Sequence, residues 1–122
     1  MPWEFRKDAP LYAQLMEQIQ RKIVSGSLSP GERLPSVREF AAEAGVNPNT
    51  MQRALMEMER RDLVRSQRTT GRFVTEDAEV IRRLREEMAQ AQITAFLEGM
   101  RELGYSAAET AERLKRRGET EE

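Results

Sequence analysis

No cysteine and no histidine occur among the 122 residues. Without thiols there is no disulfide framework and no thiolate metal centre, and without imidazole the commonest proton shuttle near neutral pH is missing. Ser-His-Asp, Cys-His and zinc chemistry are excluded on those grounds. No Gly-rich phosphate loop followed by lysine is present. Carboxylates are plentiful, but they fall in mixed-sign sets such as Arg85-Glu86-Glu87, the pattern of a solvated helix face, and nothing positively marks a magnesium site. The expectation is a protein that is not an enzyme and holds no metal or cofactor. There is also no apolar run near the ~18 residues of a membrane span. The start, Met1-Pro2-Trp3-Glu4, lacks the basic-then-apolar layout of a secretory signal, so a cytoplasmic protein with no membrane partner is expected.

What is present is a chain 34% charged and 39% apolar, enough for a modest core in one small domain with an appendage. The net charge of -1 conceals an asymmetry: residues 1–75 carry 12 basic and 9 acidic side chains, residues 76–122 carry 8 and 12. Basic character is thus concentrated in the first part, as an anion-binding domain joined to an acidic segment would show.

Tyr12, Leu15, Met16, Ile19 and Ile23 recur at three- and four-residue steps and predict a helix from Leu11 to Val24, with Pro10 in its first turn, Asp8 as cap and Gly26 as stop. Leu28-Ser29-Pro30-Gly31 reads as a turn. Ser36 and Glu39 have capping-box spacing ahead of a short helix that turns Val37, Phe40, Ala41 and Ala44 inward and ends at Gly45. Asn47-Pro48 then supplies a cap and a first helical residue for a third helix, striped by Met51, Ala54, Leu55 and Met58 and running to about Arg61. Two helices joined so tightly read as a helix-turn-helix. Leu63–Gln67 and Arg72–Thr75 flank Arg68-Thr69-Thr70-Gly71 as a two-stranded wing. After Asp77, Val80, Ile81, Leu84, Met88, Phe96, Met100 and Leu103 keep a helical rhythm as far as Gly104. A second capping box, Ser106 with Glu109, opens a last helix, and the charged stretch from Lys115 to Glu122 is expected to fray. The fold class is mainly α with a small β-hairpin: a winged helix-turn-helix over 1–75 followed by a two-helix dimerisation tail over 76–122.

The third helix displays Asn49, Gln52, Arg53 and Met56 on the side away from its stripe. Asn and Gln can pair two-pronged with adenine edges and Arg with guanine, and the major groove admits a helix that presents them. A plain solvated face has the same composition. Arg33, Ser36, Arg38 and Thr50 lie near helix starts or before the turn, where hydroxyls, guanidiniums and free N–H groups can grip phosphates, although capping or local ion pairing would use the same residues. Arg65, Arg68 and Arg72 gather positive charge on the wing, fitting a minor-groove or backbone contact or a charged edge strand.

The string Gly26-Ser27-Leu28-Ser29-Pro30-Gly31-Glu32-Arg33-Leu34-Pro35-Ser36-Val37-Arg38, continued by Gly45-Val46-Asn47-Pro48-Asn49-Thr50-Met51-Gln52-Arg53-Ala54, resembles the amino-terminal domain of GntR-family transcription regulators. The resemblance runs from about Ala9, including Pro10-Leu11-Tyr12-Ala13-Gln14, through Arg72-Phe73-Val74. The short tail, with Gly104-Tyr105-Ser106 between its helices, looks like the YtrA-like branch. What this implies is a homodimeric regulator, a repressor by family habit, with the third helix of each protomer in the major groove of half a palindromic double-stranded DNA operator and the wing along the minor groove. Family contact positions fall on Arg38, Asn47, Asn49, Thr50, Gln52 and the wing at Arg68 and Gly71, with Arg33 and Ser36 as phosphate contacts. Two departures stand out: Asp62 where the family ends the third helix with glycine, a position whose left-handed geometry Asp tolerates, and Thr69-Thr70-Gly71 in place of a Gly-x-Gly tip.

Only residues 76–122 follow the wing, too few to enclose an ordinary metabolite pocket of ~300 Å³ within one protomer. Ile81, Leu84, Met88, Phe96, Met100 and Leu103 are therefore expected to pack against a second copy. Two other functions stay open at this point: a winged-helix module that docks a protein partner through the same face, and a metabolite sensor whose small-molecule effector binds at the dimer interface.

Overall fold

The computed structural model describes residues 3–121; Met1 and Pro2 of the opening and Glu122 of the expected tail lie outside the described residues. The element order is α1 (Leu11–Ser25), α2 (Val37–Ala44), α3 (Pro48–Arg60), β1 (Val64–Gln67), β2 (Gly71–Val74), α4 (Ala78–Glu102) and α5 (Ala107–Glu121). The chain divides into two compact units, the first ending at Leu84 and the second beginning at Arg85.

In the first unit α1 and α2 both pack on α3, and α3 also leans on β1. The apolar stripes meet there. Leu15, Ile19, Met51, Leu55, Met58 and Val74 are fully buried, with Phe40, Leu63 and Val64 almost so. Complete burial of each such side chain contributes about 1.5–3 kcal/mol. At the edge of this core Trp3 meets Phe40 edge-on, with centroids 5.8 Å apart, while the Lys22 ammonium lies 4.7 Å from the indole centroid.

The entry to α1 differs from expectation. Pro10 itself is the N-cap and no side chain caps the helix; Asp8 pairs with Arg6 at 3.3 Å instead. Gln14 organises the lead-in, its Oε1 accepting from the Arg6 N–H at 2.7 Å and its Nε2 donating to the carbonyls of Arg6 and Ala9. A long amide reaching backwards can both accept from an N–H and donate to carbonyls, whereas the Asp8 carboxylate can only accept.

The predicted capping box of α2 is present, with Ser36 Oγ accepting from the Glu39 N–H and Glu39 Oε1 accepting from the Ser36 N–H, each at 3.2 Å. Helix α2 ends with the Val46 N–H on the Ala41 carbonyl and Gly45 left-handed. The end of α3 repeats this closure with a different residue: the Leu63 N–H donates to the Met58 carbonyl at 2.9 Å, the Asp62 N–H to Glu59 at 3.0 Å, and Asp62 sits at φ 63°. The aspartate thus takes the place of the helix-ending glycine, at a conformational cost of roughly 1–2 kcal/mol.

The wing is antiparallel in the register Val64↔Val74, Arg65↔Phe73, Ser66↔Arg72 and Gln67↔Gly71. A third segment, unforeseen in the sequence, runs along β2: the Gly31 N–H donates to Val74, the Val74 N–H to Glu32 and the Leu34 N–H to Arg72, each at 2.9 Å. Pro30-Gly31 turns the chain into this pairing, and a Cβ on Gly31 would lie 2.8 Å from Glu76 Oε1.

Thr75 and Asp77 start α4, Thr75 Oγ1 accepting from the Asp77 N–H and Asp77 Oδ1 from the Glu79 N–H. Ile81 and Leu84, each 7% exposed, are buried within the first unit. In the second unit α4 closes with Gly104 left-handed and the Tyr105 N–H on the Met100 carbonyl, and the Ser106–Glu109 box caps α5 with bonds of 3.0 and 3.1 Å. Thr110 is buried there, its hydroxyl donating to the Ser106 carbonyl at 2.8 Å, and Arg113 stacks on Tyr105 at 4.4 Å. The stretch from Lys115 that was expected to fray is helical in the structure as far as Glu121. Lys115-Arg116-Arg117 and the glutamates around it are good helix formers, and their charge leaves that propensity intact.

Candidate nucleic-acid interface

The amino-terminal turn of α3 is built by Asn47, whose Oδ1 accepts from the Asn49 N–H at 2.7 Å while Pro48 occupies the first helical position. This use of the oxygen leaves the Asn47 NH2 group as its outward donor. Asn49 is exposed beside it and Thr50 is half-buried. The face continues through Gln52 and Arg53 to Met56, which is 56% exposed. Together with Tyr12, Glu57 and Arg60, the residues Asn49, Gln52, Arg53 and Met56 line an open depression of about 460 Å³.

Neighbouring side chains hold this surface in place. The Arg53 guanidinium stacks on the Tyr12 ring, 4.2 Å from its centroid, so Arg53 has a fixed platform. The apolar spacing accounts for Tyr12 only as part of the α1 stripe; the clue to a second role is a phenol, amphipathic by nature, at the margin of that stripe. Glu57 takes hydrogen bonds from Arg60 and from Arg61 Nε, the latter at 2.8 Å. These bonds, Arg60 first, hold its carboxyl down to about 2.

The wing is tied to α3 through Arg72. Arg72 Nε donates to Glu59 Oε1 at 2.5 Å, Arg72 Nη1 donates to Gln52 Oε1 at 3.2 Å, and Ser66 Oγ donates to Glu59 Oε1 at 2.7 Å. Burial pushes the Glu59 carboxyl up, but the bonds from Arg72 and Ser66 outweigh it and hold the group below the usual carboxylate range. This corrects the expectation that Arg72 adds to the outward charge of the wing. Ser66 and Arg72 are cross-strand partners on the same strand face as Val64 and Val74, and that face turns toward the core.

Arg33 bridges to Phe73, and its Nε lies 3.3 Å from where a Cβ on Gly71 would stand, so the left-handed Gly71 (φ 112°) makes room for this guanidinium against the wing. Two residues far apart in sequence are thereby brought together. Arg68 is exposed in the turn, which Thr70 closes through its N–H on the Gln67 carbonyl at 3.2 Å. Arg33, Arg38, Arg65 and Arg68 make no ion pair among the described residues. Ser36 spends its hydroxyl oxygen as a cap acceptor for the Glu39 N–H. Glu39 stays ionised below the usual range, held first by the Ser36 hydroxyl.

A helix with an outward face of amides and a stacked guanidinium, flanked by unpaired arginines, has the chemistry of groove recognition. The sequence pattern of the bacterial regulatory proteins, gntR family, matches residues 11–74, the segment that forms this surface. The chain belongs to the GntR family. It is 39% identical over 112 residues to the HTH-type transcriptional regulator YhcF of Bacillus subtilis, covering 92% of this chain and 93% of that protein. It is 32% identical over 98 residues to the transcriptional repressor YtrA of the same organism, covering 80% and 71%. Among solved structures, a GntR-family regulator from Listeria monocytogenes superposes with a TM-score of 0.83 at 34% identity, covering 92% of this chain and 98% of the other. The DNA-binding domain of AraR in complex with an operator superposes at 0.55 and 27% identity, covering 62% and 99%. The GntR chain described here is accordingly a DNA-binding transcriptional regulator with a winged-helix fold and carboxy-terminal helices. Among the described residues, no helix is long and apolar enough to cross a membrane and no cluster of acidic side chains could hold a metal ion.

Among the six residues expected at a dimer seam, Ile81 and Leu84 are covered by their own chain, Met88 and Met100 are half-buried, and Phe96 and Leu103 are 44% and 72% exposed. Ile93, at 52%, joins the exposed set.

Proposed function

We propose that the chain works in the cytoplasm as a homodimeric repressor of a palindromic operator, with α3 of each protomer in the major groove and the wing along the adjacent minor groove. Residues 1–75 act as the DNA-binding domain and 76–122 as the dimerisation segment, in which Phe96, Met100 and Leu103 form the seam with Met88, while Ile81 and Leu84 fasten the start of α4 to the core. The observation that carries this reading is the outward α3 face of Asn49, half-buried Gln52, Arg53 and Met56, flanked by Arg33, Arg38 and Arg68, which make no ion pair among the described residues. Within it Asn47, Asn49, Gln52 and Arg53 read base edges, Arg33, Ser36, Arg38 and Thr50 hold phosphates, and Gly71 lets the wing carry Arg68 to the backbone. The direction of regulation is supported by the repressor among its relatives.

Bandshift titration against the operator selected by the full chain tests this. Asn49→Ala is expected to weaken binding by about 1–3 kcal/mol, and Arg68→Ala to lower affinity on all sequences while reducing the salt slope by about one. Unchanged affinity and salt slope in both variants would refute the interface.

A further inference from the structure

Gln52 has a constraint that its sequence position does not reveal. Arginine carries only N–H donors, so the bond from Arg72 Nη1 fixes which end of the Gln52 carboxamide is oxygen. The oxygen faces the wing. The Gln52 NH2 group meets no acceptor among the described residues, and the side chain borders the open depression on α3. Arg72 is itself anchored: Glu59 lies seven positions after Gln52, on the same side of α3, and receives Arg72 Nε at 2.5 Å with both side chains largely covered, 21% and 30% exposed.

Taking the reading of α3 as a base-reading helix, we propose that Arg72, held by Glu59, is a positioning residue that sets the base Gln52 selects. A free glutamine can accept from adenine N6 and donate to N7. With its oxygen turned toward the wing by a guanidinium, Gln52 presents its NH2 edge, a donor, outward. Guanine offers two adjacent acceptors, O6 and N7, to such a group, whereas the N6 amino group of adenine opposes it. Gln52 therefore selects guanine over adenine at its half-site position, and the selectivity belongs to the Gln52–Arg72–Glu59 set.

The test is selection of half-sites from a random duplex library by the full chain, comparing wild type, Gln52→Ala, Arg72→Met and the double variant. Wild type is expected to favour guanine over adenine by about 5–100-fold at one position. Gln52→Ala abolishes that preference at that position alone, Arg72→Met swings it toward adenine, and Arg72→Met adds nothing there when Gln52 is already alanine. A Gln52→Ala profile identical to wild type overturns base reading by Gln52. An altered Gln52→Ala profile with an unaltered Arg72→Met profile overturns the role of Arg72 and leaves the base reading standing. Should circular dichroism show Arg72→Met unfolded, Glu59→Gln is expected to produce the same swing at smaller size. The Gln52 side-chain NH2 resonances of the free chain then give a readout without DNA: a shift in Glu59→Gln supports the tether, and unchanged resonances overturn it.

Discussion

The two units of this chain solve the burial of apolar surface differently. The first closes a core by itself, with side chains from three helices, the hairpin and the Leu34 segment fully or nearly fully enclosed. In the second, Thr110 is the buried side chain among the described residues, while Ile93, Phe96, Leu103 and Leu114 are between 44% and 72% exposed. A unit of two helices has too little volume to surround its own apolar groups. The first can therefore hold a recognition surface rigidly without help, whereas the second offers surface that a further copy would complete.

The sharpest way to break this contrast is to truncate one leucine in each unit. Leu55→Ala, at a site 1% exposed, is expected to lower unfolding free energy by about 2–5 kcal/mol in urea titration. Leu114→Ala, at a site 53% exposed, should change the same quantity by less than about 0.5 kcal/mol in the dissociated protomer. Equal losses would abolish the distinction. Next, Phe96→Glu places a charge in the proposed seam and should weaken self-association by about 2 kcal/mol or more in sedimentation equilibrium, with the near-ultraviolet signal of the first unit intact. Retained association would remove Phe96 from the interface.

The matched capping boxes sharpen the comparison at smaller amplitude. Ser36→Ala should cost about 1 kcal/mol and appear in cooperative unfolding of the first unit, while Ser106→Ala should increase hydrogen exchange in the opening turn of α5 alone. The smallest effect is acid dependence. Glu57 is held down to about 2 from the ordinary glutamate value of 4.5, so the unfolded chain binds the extra proton between those values. Its contribution is complete above about pH 4.5 and declines as pH falls toward 2. The Tm difference between wild type and Glu57→Gln should therefore shrink across that window, and a constant difference would contradict it.

Local signals carried most of the fold. The three-and-four spacing of apolar residues, the two Ser-x-x-Glu boxes and Asn47-Pro48 placed the helices of both units; the left-handed helix end at Asp62 came from the family resemblance. Features that depended on distant partners were hidden. Pairing of Gly31–Leu34 with β2 joins segments about forty residues apart, and nothing in the short Glu32-Arg33-Leu34 stretch names its partner. Arg72 could have been assigned inward from the two-residue strand period through Val74, but arginine is so often exposed that its type argued the other way. Ile81 and Leu84 share one stripe with Phe96 and Leu103, and periodicity alone does not say whether a stretch of that stripe is covered by its own chain. The set of α3 side chains that share its outward face was legible, while the Tyr12 platform and the Arg72 tether arose from packing.

Trp3 is the one tryptophan of the chain, and it lies edge-on to Phe40 of α2 with Lys22 against its face. Its emission is therefore a label-free optical gauge of α2, the helix that precedes the proposed groove-reading one. Operator titration can be followed from that intrinsic glow, with no dye attached and no engineered cysteine.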